Sequence, residues 1–207
     1  MNSNLINAFS SPVYYEVDRR ENIPTLNDQL SLTIRDLAQH NESDDAFRSH
    51  QGGYYSGGNF FKLPVNGAKA VAELIMEHVE NYMDQLGIKQ RHDIQNIRFN
   101  SWVALTRKGD YQAPHLHRLA TISGVYYVKV PKCPSPQGCL DFISPVSEQE
   151  MSFFRDISYS HIQISPEAGS IVIFPAYLRH YTHPFFIDDE RICVAFNAQV
   201  SYNKRKK

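Results

Sequence analysis

Hydrophobic residues recur at helical spacing in two segments of the N-terminal half of the chain. In the first segment, residues 25–39, Thr25 stands where a helix cap belongs. The apolar positions of this segment are Leu26, Leu30, Ile34 and Leu37. The second segment runs from Gly67 to Leu86, and Gly87 follows it as a C-terminal cap would. Together with a weakly alternating stretch at 12–17, the pattern predicts one strand followed by two amphipathic helices.

The segment between these helices has no hydrophobic period. Residues 40–60 are rich in His, Asp, Ser and Gly and contain the run Gln51-Gly-Gly-Tyr-Tyr-Ser-Gly-Gly58. Loops of this length are often functional or mobile, so this segment is a candidate cover for a site. The sequence contains no sign that it acts as a lid.

The C-terminal half has a different pattern, with short β-branched or aromatic runs separated by Gly, Pro and Asp. The predicted strands are 97–106, 121–130, 138–143, 161–164, 170–174 and 191–200. They indicate a mostly β fold, a sandwich or barrel with the helices packed outside. With 207 residues and 42% hydrophobic content, we expect a single domain. Its parts would be a support region at 1–95, a β core at 96–202 and a basic tail at 203–207.

Charge and cysteine content narrow the possible partners and the compartment. Twenty-one basic and 22 acidic residues give a net charge of -1, which disfavours a membrane surface or an extended nucleic-acid footprint. The basic run at 203–207 is typical of a solvated tail, with a nucleic-acid or phosphate contact as the alternative. Cys133, Cys139 and Cys193 fit neither a thiolate zinc site nor a disulfide framework. With no signal peptide and no apolar run near the roughly 18 residues that span a bilayer, we expect a soluble cytoplasmic protein.

Three histidines are candidates for a metal site. His115 and His117 are two residues apart, so on an extended strand both would point to the same face. His180 follows a predicted strand that ends at Pro175, and it could complete a facial set. Imidazole suits iron, zinc, copper and nickel, and three facial ligands leave positions open for substrate and oxygen. A His-x-His pair alone is more often a surface or hydrogen-bonding feature, so both interpretations stay open at this point.

The last predicted strand contains an arginine on an unusual face. Ile192, Val194 and Phe196 form the apolar face, which suits packing against the helices. Arg191 then points into the barrel, where a guanidinium needs an anion to avoid an unpaired buried charge. A carboxylate bound in a bidentate fork would supply that anion. The alternative is an exposed arginine paired with an aspartate at 188 or 189.

Over nearly its whole length the sequence resembles the Fe(II)- and 2-oxoglutarate-dependent oxygenases. The matching segments, in order along the chain, are 8–14, 100–102, 109–117, 123–131, 138–142, 166–180 and Glu190-Arg191. The order and spacing of these segments are specific, although no single one is decisive. The resemblance implies a double-stranded β-helix of the jelly-roll or cupin-like kind.

The resemblance also implies roles for individual residues. His115 would be the first Fe(II) ligand, His180 the distal ligand and Arg191 the anchor for the distal carboxylate of 2-oxoglutarate. Tyr127 matches an aromatic position that often helps to hold this co-substrate. The implied reaction consumes O2 and 2-oxoglutarate, hydroxylates a substrate and releases succinate and CO2.

The sequence departs from the family pattern at two positions. His117 stands where the family has Asp or Glu, so either it is a third neutral ligand or water or Asp110 completes the shell. We favour the third ligand. Thr106 stands where many relatives carry a tyrosine that contacts the co-substrate. His183 is a weaker rival of His180, because it lies closer to Arg191 than the family pattern requires.

Two other functions compete with the oxygenase. A cupin would share the barrel and the histidines, but the glutamate expected soon after His117 is missing from Arg118-Leu-Ala-Thr-Ile122. A non-catalytic jelly-roll module would require that the histidine at 117 mark lost iron binding. The substrate is unidentified and could be a small molecule or a protein side chain. Nucleic acid is disfavoured, no membrane is expected and a homodimer stays open.

Overall fold

The structure is a computed structural model that describes residues 10–44, 49–146 and 161–204. Its helices are α1 (Ile23–His40), α2 (Ala68–Gln85) and α3 (Ile88–Arg91), with a 3-10 turn at Phe60–Lys62. Its strands are β1 (Tyr14–Val17), β2 (His50–Gln51), β3 (Tyr54–Tyr55), β4 (His92–Thr106), β5 (Tyr111–His115), β6 (Ile122–Lys129), β7 (Leu140–Ile143), β8 (His161–Ile164), β9 (Ser170–Pro175), β10 (His180–Thr182) and β11 (Arg191–Lys204).

The described strands form two antiparallel sheets. The larger has the order β1-β9-β6-β11-β4-β3, and the smaller has the order β2-β5-β10-β7-β8. From β4 to β11 the chain crosses between the two sheets at every step except β7 to β8, which are neighbours in the smaller sheet, as in a double-stranded β-helix. The predicted mostly β class with flanking helices is confirmed. Each strand predicted in the C-terminal half is present, and β4 begins at His92, before the predicted start of the core.

The helices cover one face of the larger sheet. Leu30 of α1 and Ile75 of α2 are fully buried in the same apolar cluster as Val194 of β11. Ile192 and Phe196 belong to this cluster too, which confirms the predicted apolar face of the last strand. Because side chains alternate along a strand, the residues between them point to the other face, toward the smaller sheet.

A second apolar cluster lies between the two sheets. Tyr127, Val172 and Cys193 contribute from the larger sheet, and Leu140 and Phe142 contribute from the smaller. These side chains fix the spacing of the sheets. The remaining space between the sheets forms the cavity described below.

The helix ends differ in part from the predicted ones. Asn22 is the N-cap of α1, and Pro24 occupies the first turn. Proline suits that turn, because its fixed φ is helical and its missing N–H needs no partner there. The predicted cap at Thr25 is therefore wrong, and Thr25 lies inside the helix. Gly87 follows α2 with φ 65°, and its N–H donates to the carbonyl of Asp84, as a residue that ends a helix should.

The segment predicted as a loop connects the two sheets. β2 pairs with β5 of the smaller sheet, and β3 pairs with β4 of the larger. Gly52 and Gly53 turn the chain between them with φ of 75° and 79°. This conformation favours glycine, and a Cβ at Gly52 would collide with the Asp110 carboxylate. Residues 45–48 lie outside the described residues, and the rest of the segment forms part of the barrel wall.

Other predictions are tested only in part. The predicted tail begins inside β11, which continues to Lys204, while 205–207 lie outside the described residues. The three cysteines are free, and Cys139 and Cys193 are buried. Among the described helices, none is long and apolar enough to cross a membrane.

Candidate metal centre

Two histidines meet across neighbouring strands of the smaller sheet. His115 is the last residue of β5 and His180 the first of β10, and the two are direct partners in the antiparallel register. Their ring centroids are 4.3 Å apart. The register then shifts, because Thr182 pairs with Gln112, so three steps along β5 oppose two along β10. This bulge allows both histidines to face one point at the strand ends.

His117 reaches the same point from outside the strand. β5 ends at His115, so the expected reason, two residues on one face of a strand, is wrong. Instead, the His117 backbone N–H donates to the carbonyl of Ala176 at 2.9 Å, which fixes the loop. The His117 ring centroid lies 5.1 Å from that of His115 and 5.2 Å from that of His180. One possible ligand atom from each of the three rings lies within 4.8 Å of the others, a spacing that suits a single metal ion.

Backbone carbonyls orient two of the rings. Nδ1 of His115 lies 2.9 Å from the carbonyl oxygen of Ala113, and Nδ1 of His180 lies 2.9 Å from that of Leu178. A carbonyl oxygen only accepts, so each Nδ1 carries the hydrogen and donates it. The lone pair is then on Nε2, which is the arrangement found in metal-ligating histidines.

The environment keeps the three imidazoles neutral. Burial, the larger cause, and the neighbouring His115 together lower the pKa of His117 to about 4. Burial also lowers the pKa of His180 to about 3, with His115 adding to the effect. The pKa of His115 is lowered by burial against the opposing hydrogen bond to Ala113. At neutral pH each ring can therefore offer a lone pair, and neutral imidazole is a ligand that suits iron.

The two rival residues are elsewhere. The Asp110 carboxylate accepts the backbone N–H of Arg107 at 2.7 Å and stands beside the Gly52 turn. Nε2 of His183 lies 3.1 Å from Oδ2 of the buried Asp141. In the part of the chain that the structure describes, neither residue joins the histidine group.

Arg191 is buried in the barrel, as its face of β11 predicts. Only 4% of the residue is exposed, and its guanidinium donates to the carbonyl of Gly138 at 3.2 Å and to Thr182 Oγ1 at 3.3 Å. The alternative pairing with a neighbouring aspartate is not found, because Asp189 pairs with Lys129. No carboxylate of the described residues lies within ion-pair distance of Arg191. The buried positive charge thus has no anionic partner within the described part of the chain, which is costly unless a ligand supplies one.

A narrow cavity joins the arginine to the histidines. Its walls include all three histidines, Arg191 and Tyr127. Tyr127 is 1% exposed, and burial raises the pKa of its hydroxyl, so the hydroxyl stays neutral and can donate a hydrogen bond. All the residues predicted for the site therefore line one space between the two sheets.

Several further wall residues were not anticipated from the sequence. They are Tyr55, Trp102, Gln112 and Thr182. Trp102 is on the same face of β4 as Ala104, and its ring lies 6.0 Å from that of His117. Alternation along β4 could have placed Trp102 in the barrel, whereas Tyr55 comes from a segment without any period. An open cleft shares Tyr55, Trp102 and Gln112 with the cavity and extends to the surface.

A double-stranded β-helix that holds a histidine cluster and a buried arginine in one cavity is the arrangement expected of a metal-dependent oxygenase. A comparison of the sequence with family models agrees with this class. Residues 100–197 match the model of a family described as "Putative 2OG-Fe(II) oxygenase", where 2OG is 2-oxoglutarate. This part of the chain, just under half of its length, matches a 2OG-Fe(II) oxygenase domain, a class of enzyme whose cofactor is Fe(II) and whose co-substrate is 2-oxoglutarate. The matched range contains every predicted site residue. The resemblance seen in the sequence is confirmed.

Solved structures support the fold. The chain is similar to a Pseudomonas putida prolyl-4-hydroxylase, with 16% identity, a TM-score of 0.61 and 95% of each chain covered. An α-ketoglutarate-dependent epimerase from nogalamycin biosynthesis matches with 14% identity and a TM-score of 0.64, covering 95% of this chain and 79% of its own. HygX from Streptomyces hygroscopicus, solved with nickel and 2-oxoglutarate, matches with 10% identity and a TM-score of 0.58 over 91% of this chain and 83% of its own.

No curated protein matches the chain. The family match favours the oxygenase over the cupin and over a module without catalysis.

Proposed function

We propose that this protein is a hydroxylase that holds Fe(II) through His115, His117 and His180. In this proposal Arg191 binds the distal carboxylate of 2-oxoglutarate and Tyr127 helps to hold the co-substrate. The substrate is oxidised at a C–H bond to an alcohol.

The observation that carries this proposal is the unneutralised charge of Arg191. A guanidinium that is 4% exposed and has no carboxylate of the described residues within ion-pair distance needs an anionic ligand. It lines the same narrow cavity as the histidine group. A dicarboxylate that reaches from a metal to an arginine satisfies both ends. 2-Oxoglutarate has this shape, with a 2-oxo acid at one end and a carboxylate at the other.

The protein residues orient the reactants and exclude water. The Ala113 and Leu178 carbonyls fix the rings of His115 and His180 through Nδ1, so that Nε2 of each ring would be free to hold the metal. The neutral Tyr127 hydroxyl can donate to the co-substrate from a fully buried position. With iron bound, O2, 2-oxoglutarate and the substrate R–H would give R–OH, succinate and CO2, in which one oxygen atom enters the alcohol and the other enters succinate.

The open cleft beside the histidines is the proposed substrate site. Its described lining includes Ser49, His50, Ser56 and Asn100, and it contains no lysine or arginine. Polar side chains without a cation suit a hydrogen-bonding substrate better than a phosphorylated one. Among the similar structures, a Trichoplax adhaerens prolyl hydroxylase was solved with a peptide fragment and HygX with hygromycin B, so both peptides and small molecules are candidates.

Anaerobic spectroscopy tests the metal and co-substrate assignments together. Fe(II) and 2-oxoglutarate added to the wild-type protein should produce a visible charge-transfer band. The band should be lost in His180→Ala and kept in His183→Ala, a matched control that removes a nearby imidazole outside the group. An unchanged band in His180→Ala would refute the ligand assignment.

Turnover of the co-substrate tests the reaction. In air, the loaded wild-type protein should convert 2-oxoglutarate to succinate slowly alone, and a true substrate should raise the rate. Libraries of peptides and of neutral polar metabolites should be screened separately for this stimulation. If the wild-type protein shows the charge-transfer band but forms no succinate at any O2 concentration, the proposed reaction is wrong.

A further inference from the structure

Tyr55 enters the barrel from the N-terminal segment and faces the arginine end of the cavity. The residue is only 2% exposed and lines the cavity together with Arg191 and Tyr127. Burial raises the pKa of its hydroxyl to about 12, and the Arg191 charge acts in the opposite direction. The hydroxyl is therefore neutral and lies within electrostatic range of the guanidinium.

The strand pairing explains why this tyrosine points inward. Tyr55 pairs with Ala104 of β4, which lines the cavity, whereas Tyr54 pairs with Leu105, which packs under the helices. Directly opposed residues of an antiparallel pair share a face of the sheet. Tyr54 accordingly lies in the outer core and Tyr55 in the barrel.

The turn before β3 occupies space beside Thr106. A Cβ added to Gly53 would lie 2.8 Å from the carbonyl oxygen of Leu105 and 3.1 Å from Cγ2 of Thr106. The short side chain at 106 and the absent side chain at 53 thus allow the turn to dock against β4. Thr106 itself is not among the residues that line the cavity. Many relatives carry a tyrosine at the position of Thr106. Here Thr106 packs against the turn, and the turn places Tyr55 in the barrel instead.

Neighbouring side chains hold the Tyr55 ring in place. The His50 ring stacks on it, with centroids 3.9 Å apart and planes 16° apart. Gln112 of β5 lies beside the hydroxyl. Because His50 lines the cleft while Tyr55 lines both spaces, the stacked pair lies where the proposed substrate cleft meets the co-substrate cavity.

We propose that the Tyr55 hydroxyl binds the distal carboxylate of 2-oxoglutarate beside Arg191. Tyr55 would thereby take over the co-substrate contact that Thr106 does not provide. This inference rests on the proposed function, since it assigns one more residue to the same co-substrate. Removal of the hydroxyl should weaken binding of the distal carboxylate and leave metal binding unchanged, because Tyr55 is not a member of the histidine group.

Titration of the anaerobic Fe(II) protein, followed by the charge-transfer band, tests this assignment. Tyr55→Phe keeps the ring and its stacking on His50, and it should weaken 2-oxoglutarate binding about tenfold, the order expected for a lost hydrogen bond to a charged group. Binding of 2-oxobutanoate, which has the same 2-oxo acid but no distal carboxylate, should change less than about twofold. Tyr54→Phe removes a hydroxyl from the outer core and is the matched control, and Thr106→Val tests the competing hydroxyl.

Each outcome separates this inference from the proposed function. If the wild type shows no charge-transfer band, the proposed function and the role of Tyr55 are both wrong. A wild-type band with equal 2-oxoglutarate affinity in Tyr55→Phe would overturn the role of Tyr55 and leave the proposed function intact. Equal weakening of both 2-oxo acids would show a general effect on the cavity and would also overturn the assignment, as would a loss seen in Thr106→Val alone. Thermal unfolding of each variant confirms that the fold is retained.

Discussion

Residue 117 sets the charge that the histidine group presents to a metal. A carboxylate there would neutralise one charge of Fe(II), whereas the imidazole of His117 neutralises none. A bound 2-oxoglutarate dianion would then face a site with one more positive charge. The buried position of His117 and its lowered pKa of about 4 keep the ring available as a neutral ligand over most of the physiological pH range.

Substitution at 117 distinguishes the two explanations for the missing carboxylate. His117→Ala should weaken Fe(II) binding at least about 100-fold, because loss of even an outer partner of a ligand costs about 10- to 100-fold. His117→Asp should retain binding, since it restores the ligand type of the family pattern. Asp110→Asn should bind iron like the wild type. Equilibrium dialysis with anaerobic Fe(II) measures all three, and tight binding by His117→Ala would show that His117 stands aside.

At the scale of the elements, helix α1 is held by a narrow apolar stripe. Leu30 is 0% exposed and packs in the cluster beneath the larger sheet, while Leu32, two residues along, is 67% exposed. Leu30→Ala should therefore lower the free energy of unfolding by about 2–5 kcal/mol, and Leu32→Ala by less than about 0.5 kcal/mol. Urea unfolding of the two variants checks this. Similar losses in both would mean that α1 does not pack as described.

The sequence predicts the long, strongly patterned elements and misses the short polar ones. α2, β9 and β11 are set by their own periodicity, and so is the inward face of Arg191. β10, with only His180 to Thr182, has too few residues to show a period, and neighbouring strands determine its structure. Tyr55 was missed for a similar reason, because two-residue strands and a glycine turn place it, and their pairing involves residues far away in the sequence.

At the scale of the whole molecule, a buried carboxylate makes stability depend on pH. Asp18 follows β1 and lies near α2. Burial alone would raise the pKa of its carboxyl, but hydrogen bonds from the side chain and the backbone N–H of Arg20 outweigh burial, so the pKa is lowered. A carboxyl with a lowered folded-state pKa stabilises the protein above its unfolded pKa of about 4. That contribution is lost as the pH falls through the folded-state pKa.

Replacing Asp18 should remove this dependence. Asp18→Asn should destabilise the protein by about 1–3 kcal/mol at pH 7, the range for lost hydrogen bonds to a charged group. The difference from the wild type should begin to shrink below about pH 4, where the carboxyl of the unfolded chain becomes protonated, and it should be lost as the pH falls through the lowered folded-state pKa. Asp28→Asn, on the exposed face of α1, is the control. Urea unfolding at pH 7 and pH 3 measures both, and a difference that is the same at the two pH values would contradict this origin.

The extra residue of β5 opposite β10 makes the site sensitive to the length of this segment rather than to its composition. The residues inside the bulge, Ala113 and Pro114, support His115 through a backbone carbonyl and through the path of the chain, not through their side chains. Exchanges of these side chains that keep the backbone path should therefore be tolerated. Deletion of one residue would turn His115 to the opposite face of the sheet while leaving enough hydrogen bonds for the strands to pair. Among relatives, we expect this segment of β5 to vary by substitution and not by insertion or deletion.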